Sequence, residues 1–157
     1  EGGANLARLS ALRLPSLPRV RGFIPGASMG KLDHQVIIVT GAGASGEGMG
    51  NGKACAIHYA REGAKVVALD IDETALADTV RIIESEGNAA TGLLCDVRDS
   101  RSVADMAAAV QKKFGRIDVL HNNVGLLELD GPVDLAEEIW DKVMDTNVKG
   151  MANRLSM

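Results

Sequence analysis

The chain of 157 residues has only two cysteines, no excess of positive charge and no long uninterrupted apolar run. Each shortage removes a class of protein. Cys55 and Cys95 lie far apart without metal-ligand spacing, so they read as reduced, packed thiols of an intracellular protein rather than a disulfide framework or a zinc site. A net charge of −4 gives no attraction for nucleic acid or an anionic membrane. No apolar stretch approaches the length of a membrane span, which predicts a soluble protein without a membrane partner. The length suits one domain with a core large enough to fold.

Residues 1–28 differ from the remainder. Arg8, Arg13, Arg19 and Arg21 face the single acid Glu1, with leucines at 6, 9, 12, 14 and 17 and prolines at 15, 18 and 25. The segment lacks the continuous apolar stretch of a secretory signal, but its Arg, Leu and Ser content is similar to an organelle transit peptide. A translated leader is the preferred reading, because Met29 opens MGKLDHQVIIVTG like a natural start. Cytoplasmic location is therefore expected, with mitochondrial delivery the alternative if 1–28 is a transit segment. Residues 29–157 are expected to form the folded domain.

What the chain does contain is concentrated between Val36 and Asp70. Val36 to Val39 are four apolar residues, three of them β-branched, suited to a parallel strand buried on both faces. Gly41, Gly43, Gly46, Gly48, Gly50 and Gly52 follow, and lysine 53 to glutamate 62 has helical character, ended by Gly63. Glycine lets a phosphate approach the backbone where a Cβ would block it, and the free N–H groups at a helix start face an anion. Val66 to Leu69 form a second buried strand, and Asp70 lies eighteen residues past Gly52, near the spacing at which a carboxylate accepts from an adenosine ribose. This strand, loop, helix, strand and acid read as a βαβ unit for a dinucleotide. Asp70 favours NAD over NADP, since its charge would repel a 2′-phosphate, and no Arg or Lys lies between Gly41 and Gly52.

Alternation continues downstream. Asp72 and Glu73 open a helix through about Glu86, with Leu76, Val80 and Ile83 on its buried face. A third strand spans about 89–95, followed at its ligand-facing end by Asp96 and Val97; Asp96 reads equally as an acceptor for the adenine amino group or as a cap or turn residue. Ser100 is the expected N-cap of a helix reaching Phe114. A fourth strand, 117–121, leads to Asn122, Asn123, Val124 and Gly125, with His121 packed beside the sheet. From Leu135 a helix is expected to about Arg154, with the polar Asn147 in its middle. Four strand–helix units of this kind predict an α/β, Rossmann-like, doubly wound parallel sheet.

From Met29 onward the chain resembles the short-chain dehydrogenase/reductase family: TG with a glycine-rich loop at 40–52, Asp70, the pair Asp96-Val97, NNVG at 122–125 in place of the usual NNAG, and EIWDKVMDTNVKG at 138–150. The resemblance implies a nicotinamide-dependent oxidoreductase that moves hydride between cofactor and a small carbonyl or alcohol substrate, homo-oligomeric when intact. It implies that Gly41, Gly50 and Gly52 match the three motif glycines, with Gly43 and Asn51 beside them on the pyrophosphate. Asp70 would hold the ribose, Asp96 and Val97 the adenine, and Asn123 and Gly125 the region toward nicotinamide. Asn147 would match the helix asparagine that orders a water in the family's proton relay.

Two departures stand out. Eight residues separate Gly41 from Gly50, five more than the family's usual loop, and Gly46 with Gly48 offers a second alignment. Gly50-Asn51-Gly52 is preferred because Lys53-Ala54 follows as the helix start. The family's catalytic serine and Tyr-x-x-x-Lys helix have no counterpart here: the one tyrosine is Tyr59, followed four residues later by Gly63. The expectation is a sheet truncated after four units, inactive by itself, with the fourth strand left as an apolar edge. A non-catalytic dinucleotide-binding module and a Rossmann-like methyltransferase are the competing readings. Against the methyltransferase, Thr40 ends the first strand where an acid would be expected.

Overall fold

The computed structural model describes residues 30–44, 46, 48–128, 131 and 134–155; the segment read as a leader lies outside them. Strand and helix alternate as β1 (Val36–Thr40), α1 (Asn51–Arg61), β2 (Lys65–Asp70), α2 (Glu73–Ser85), β3 (Ala90–Leu94), α3 (Ser100–Phe114) and β4 (Val119–His121). A last helical run comprises α4 (Glu137–Met144), a π-helical turn (Asp145–Lys149) and α5 (Gly150–Leu155).

The four strands form one parallel sheet in the order β3-β2-β1-β4. All five residues of β1 are buried, as four apolar side chains and a threonine in a central strand require. Their alternation divides the core. Ile37 and Val39 pack with Val66, Ala68, Ile57 of α1 and Ile83 of α2. Val36 and Ile38 face the other way, toward Val67, Leu69 and the Val103, Met106 and Val110 stripe of α3. Helices therefore cover both faces, as a doubly wound sheet requires. Burying each such aliphatic side chain is worth about 1.5–3 kcal/mol. Because β4 pairs with β1 while β2 lies on the other side, the strand order reverses between β1 and β4, and a crevice opens there at the carboxyl ends.

Several boundaries shift from the sequence expectation. α1 begins at Asn51, not Lys53, because the low-propensity Gly52 is held in the first turn by close packing on the loop behind it. Asp99, not Ser100, caps α3: its carboxylate accepts from Arg101 N, and Ser100 is the first helical residue. β4 is shorter than 117–121. Asp118 joins Val36 through its own N–H and through its carboxylate, which accepts from Val36 N at 2.8 Å, before the regular ladder begins at Val119. The last helix starts at Glu137 and is interrupted by the π turn, with Asn147 at the centre of the interruption.

Candidate functional site

The crevice at the switch point has a volume of about 300 Å³. Every strand contributes from its carboxyl end: Gly41 and Gly43 follow β1, Asp70 ends β2, Asp96 and Val97 follow β3, and Asn123 and Gly125 follow β4. Of the eleven residues singled out from the sequence, these seven line the crevice together. Gly50, Asn51 and Gly52 lie at the mouth of α1 behind Gly41, and Asn147 reaches the crevice wall from the π turn.

The glycine loop is shaped by contact. A Cβ on Gly52 would stand 1.9 Å from the Gly41 carbonyl oxygen and 2.5 Å from Asn123 Nδ2, so the helix start and the end of β1 approach only as bare backbone. Gly43 meets Asp70 in the same way: its N–H donates to Asp70 Oδ2 at 2.8 Å, and a Cβ there would lie 2.8 Å from that oxygen. Gly46 and Gly48, with positive φ and open space around them, make no such approach. The α1 N-terminus has no side-chain cap, Gly50 occupying that position, so its first N–H groups point toward the loop without a carboxylate in competition.

Asp70 Oδ1 accepts from Ile71 N at 2.8 Å and Asp72 N at 3.1 Å, while Oδ2 takes Gly43 N. The carboxylate thus ties the glycine loop to the end of β2 and fixes its own position at the rim. Asp96 is held in a turn at the crevice edge. Its Oδ1 accepts from Arg98 N at 2.9 Å in a side-chain turn, and the Arg98 guanidinium engages both oxygens, with Nη2 at 2.7 Å from Oδ2. That guanidinium holds the Asp96 carboxyl below the usual carboxylate range against an opposing contribution from burial. Asp96 is a turn residue and a crevice residue at once.

Asn123 faces the loop. Its Nδ2 donates to Thr40 O and Gly41 O, both at 3.1 Å. Thr40, fully buried, was not legible as a site residue, yet its hydroxyl donates to His121 O and accepts from Asn123 N and Val124 N. Only its place at the end of a buried strand hinted at this. Asn147 makes a two-point contact with one peptide unit: Oδ1 accepts from Leu126 N at 2.7 Å and Nδ2 donates to Leu126 O at 2.8 Å. His121, as expected, packs beside the sheet, its Nδ1 3.2 Å from the Tyr59 hydroxyl. Cys95 is buried and Cys55 half-buried, and neither forms a disulfide among the described residues.

The fold and the sequence match a known family along most of the chain. A family model described as short chain dehydrogenase matches residues 35–156, and the chain belongs to that family. It is 36% identical over 128 residues to a 3beta-hydroxysteroid dehydrogenase of Mediterraneibacter gnavus, covering 81% of this chain and 43% of that protein. Among solved structures, a metagenomic short-chain oxidoreductase in complex with NADP superposes with a TM-score of 0.73 at 33% identity, over 80% of this chain and 55% of that one. An NAD+-bound xylitol dehydrogenase gives the same TM-score and identity, over 80% of this chain and 47% of its own. The chain spans about half the length of the relatives it matches. Among the described residues no helix is long and apolar enough to cross a membrane.

Proposed function

We propose that this chain supplies the dinucleotide-binding half of an oxidoreductase that moves hydride between a nicotinamide cofactor and a small carbonyl or alcohol substrate, with NAD preferred to NADP. The observation that carries the reading is the contact of Gly52 with Gly41, which sets the uncapped start of α1 directly behind a crevice rimmed by Asp70. A diphosphate would lie beside bare backbone, since a Cβ at Gly52 or Gly43 would collide with the chain packed against it. Gly41, Gly43 and Gly50-Asn51-Gly52 would hold it, Asp70 the adenosine ribose, Asp96 and Val97 the base, and Asn123 and Gly125 the segment toward nicotinamide. A bound nicotinamide supplies the hydride chemistry. The chain's own part is to orient it and to shape the wall beside it. Asn147 would serve that wall by fixing Leu126, while the second hydrogen on its Nδ2 is the group that could hold a relay water.

Preference for NAD rests on the charge of Asp70, on the uncharged Ile71 beside it, and on the absence of a basic residue from the glycine loop. Calorimetry tests both parts. The 157-residue chain is expected to bind NAD more tightly than NADP, and Asp70→Ala to weaken NAD by about tenfold or more while narrowing the difference, as loss of charge-assisted hydrogen bonds requires. Binding of neither dinucleotide would overturn the cradle reading; equal affinities in the unaltered chain would overturn the preference alone.

A further inference from the structure

Residues 137–153 of the run from α4 to α5 lie against the crevice with Ile139 and Val143 half-buried and little further apolar burial among the described side chains. Among residues 137–153 only Gly150 is buried, while Trp140, Met144, Val148 and Met151 are between 37% and 54% exposed. Two asparagine amides fasten the run instead. Asn147 takes the backbone that follows β4, and Asn153, six residues on, takes the backbone that follows β3: its Nδ2 donates to Val97 O at 3.2 Å and to Arg98 O at 3.3 Å. Gly150 seats the same place from one turn earlier, where an added Cβ would come 3.1 Å from Val97 Cγ2 and 3.4 Å from Val97 O.

Those two carbonyls directly follow Asp96. The Asp96 carboxylate is itself bound by the N–H and guanidinium of Arg98, so backbone and acceptor move together. We infer that Asn153 is a positioning residue for the adenine end of the crevice, setting the Val97–Arg98 backbone and hence the direction in which Asp96 presents its carboxylate. The inference rests on the dinucleotide reading above. It assigns to the last helix, through a residue outside the family-like motif at 138–150, a part in choosing the base.

The test compares NAD with nicotinamide hypoxanthine dinucleotide, in which a carbonyl oxygen replaces the adenine amino group and would meet the Asp96 carboxylate acceptor to acceptor. Calorimetry on the 157-residue chain is expected to show at least tenfold preference for NAD. Asn153→Ala should weaken NAD several-fold and bring the ratio of the two affinities close to one. Asn153→Asp, which keeps the shape but turns an acceptor toward two carbonyls, should do the same, as should Gly150→Ala, which pushes Val97 from the neighbouring position. Circular dichroism on each variant identifies those that keep the fold, and three substitutions leave a readable set. An unchanged ratio in the folded variants overturns the inference and leaves Asn153 a helix fastening only. Loss of all dinucleotide binding in the unaltered chain instead removes the dinucleotide reading, and this inference with it.

Discussion

Thr40 Oγ1 is the atom on which three segments meet. It ends β1, donates to the β4 carbonyl of His121 at 3.3 Å, and receives Asn123 N at 3.0 Å and Val124 N at 3.3 Å. Thr40→Val keeps the shape and removes these partners, leaving two N–H groups in a part-buried site without the acceptor. Each unsatisfied group costs about 1–3 kcal/mol, so the variant is expected to unfold at lower urea by an amount in that range and to bind NAD more weakly. A urea midpoint unchanged from that of the parent chain would show that water replaces the hydroxyl. At this scale the sequence was informative where a residue's duty follows from its own chain neighbours. Gly41, Asp70 and Asp96 sit at strand ends that periodicity locates, and they do line the crevice. Thr40 and Asn153 act across about 80 and 55 residues of chain, and nothing in a single sequence records such lateral partners.

Among the elements, β1 and β2 were legible because strands buried on both faces are written as unbroken apolar runs, and α2 and α3 because their apolar stripes recur at helical spacing. The π turn was not, since one residue too many in a helix leaves the same amphipathic pattern on either side. Nor was the strap between α1 and α2. Lys53 is buried at 7% exposure, with Nζ 2.5 Å from Asp78 Oδ2, and Arg81 joins the other oxygen of Asp78, while Arg61 of α1 pairs with Glu86 just beyond α2. Hydrogen bonds from Lys53 and then Arg81 hold Asp78 below the carboxylate range, and Arg61 does so for Glu86. Both folded values lie below the unfolded ones, so the stabilisation is complete above the ordinary carboxylate pKa of about 4 and is lost as pH falls through the depressed values. Denaturant midpoints are expected to be flat with respect to these groups from pH 8 to 6 and to fall below pH 4. Arg61→Gln should lessen the acid slope, and an identical slope would place the acid sensitivity elsewhere.

Taken whole, the described sheet has β4 at one edge, with Val119 at 37% exposure, and farther along the chain Leu127 and Trp140 are exposed at 79% and 54%. An apolar edge strand with open pairing groups invites another chain. The 157-residue chain is expected to sediment as associated species whose proportion rises with concentration. Trp140→Lys should shift the distribution toward monomer, and a parent chain that stays monomeric at high concentration would count against an accessible edge. Its single tryptophan makes the same association visible as a change in fluorescence.

The strand order also sets a schedule. β1 is joined on one side by β2, which follows it closely, and on the other by β4, whose His121 carbonyl lies 81 residues from Thr40. On a ribosome working at 5–20 residues per second, that interval takes roughly 4–16 s. During it, three strands can assemble with one side of β1 unpaired and the crevice lacking a wall. On the dinucleotide reading proposed above, a nascent chain gains its complete crevice only once the fourth strand has emerged, so ligand would seal the assembly and not guide its early steps.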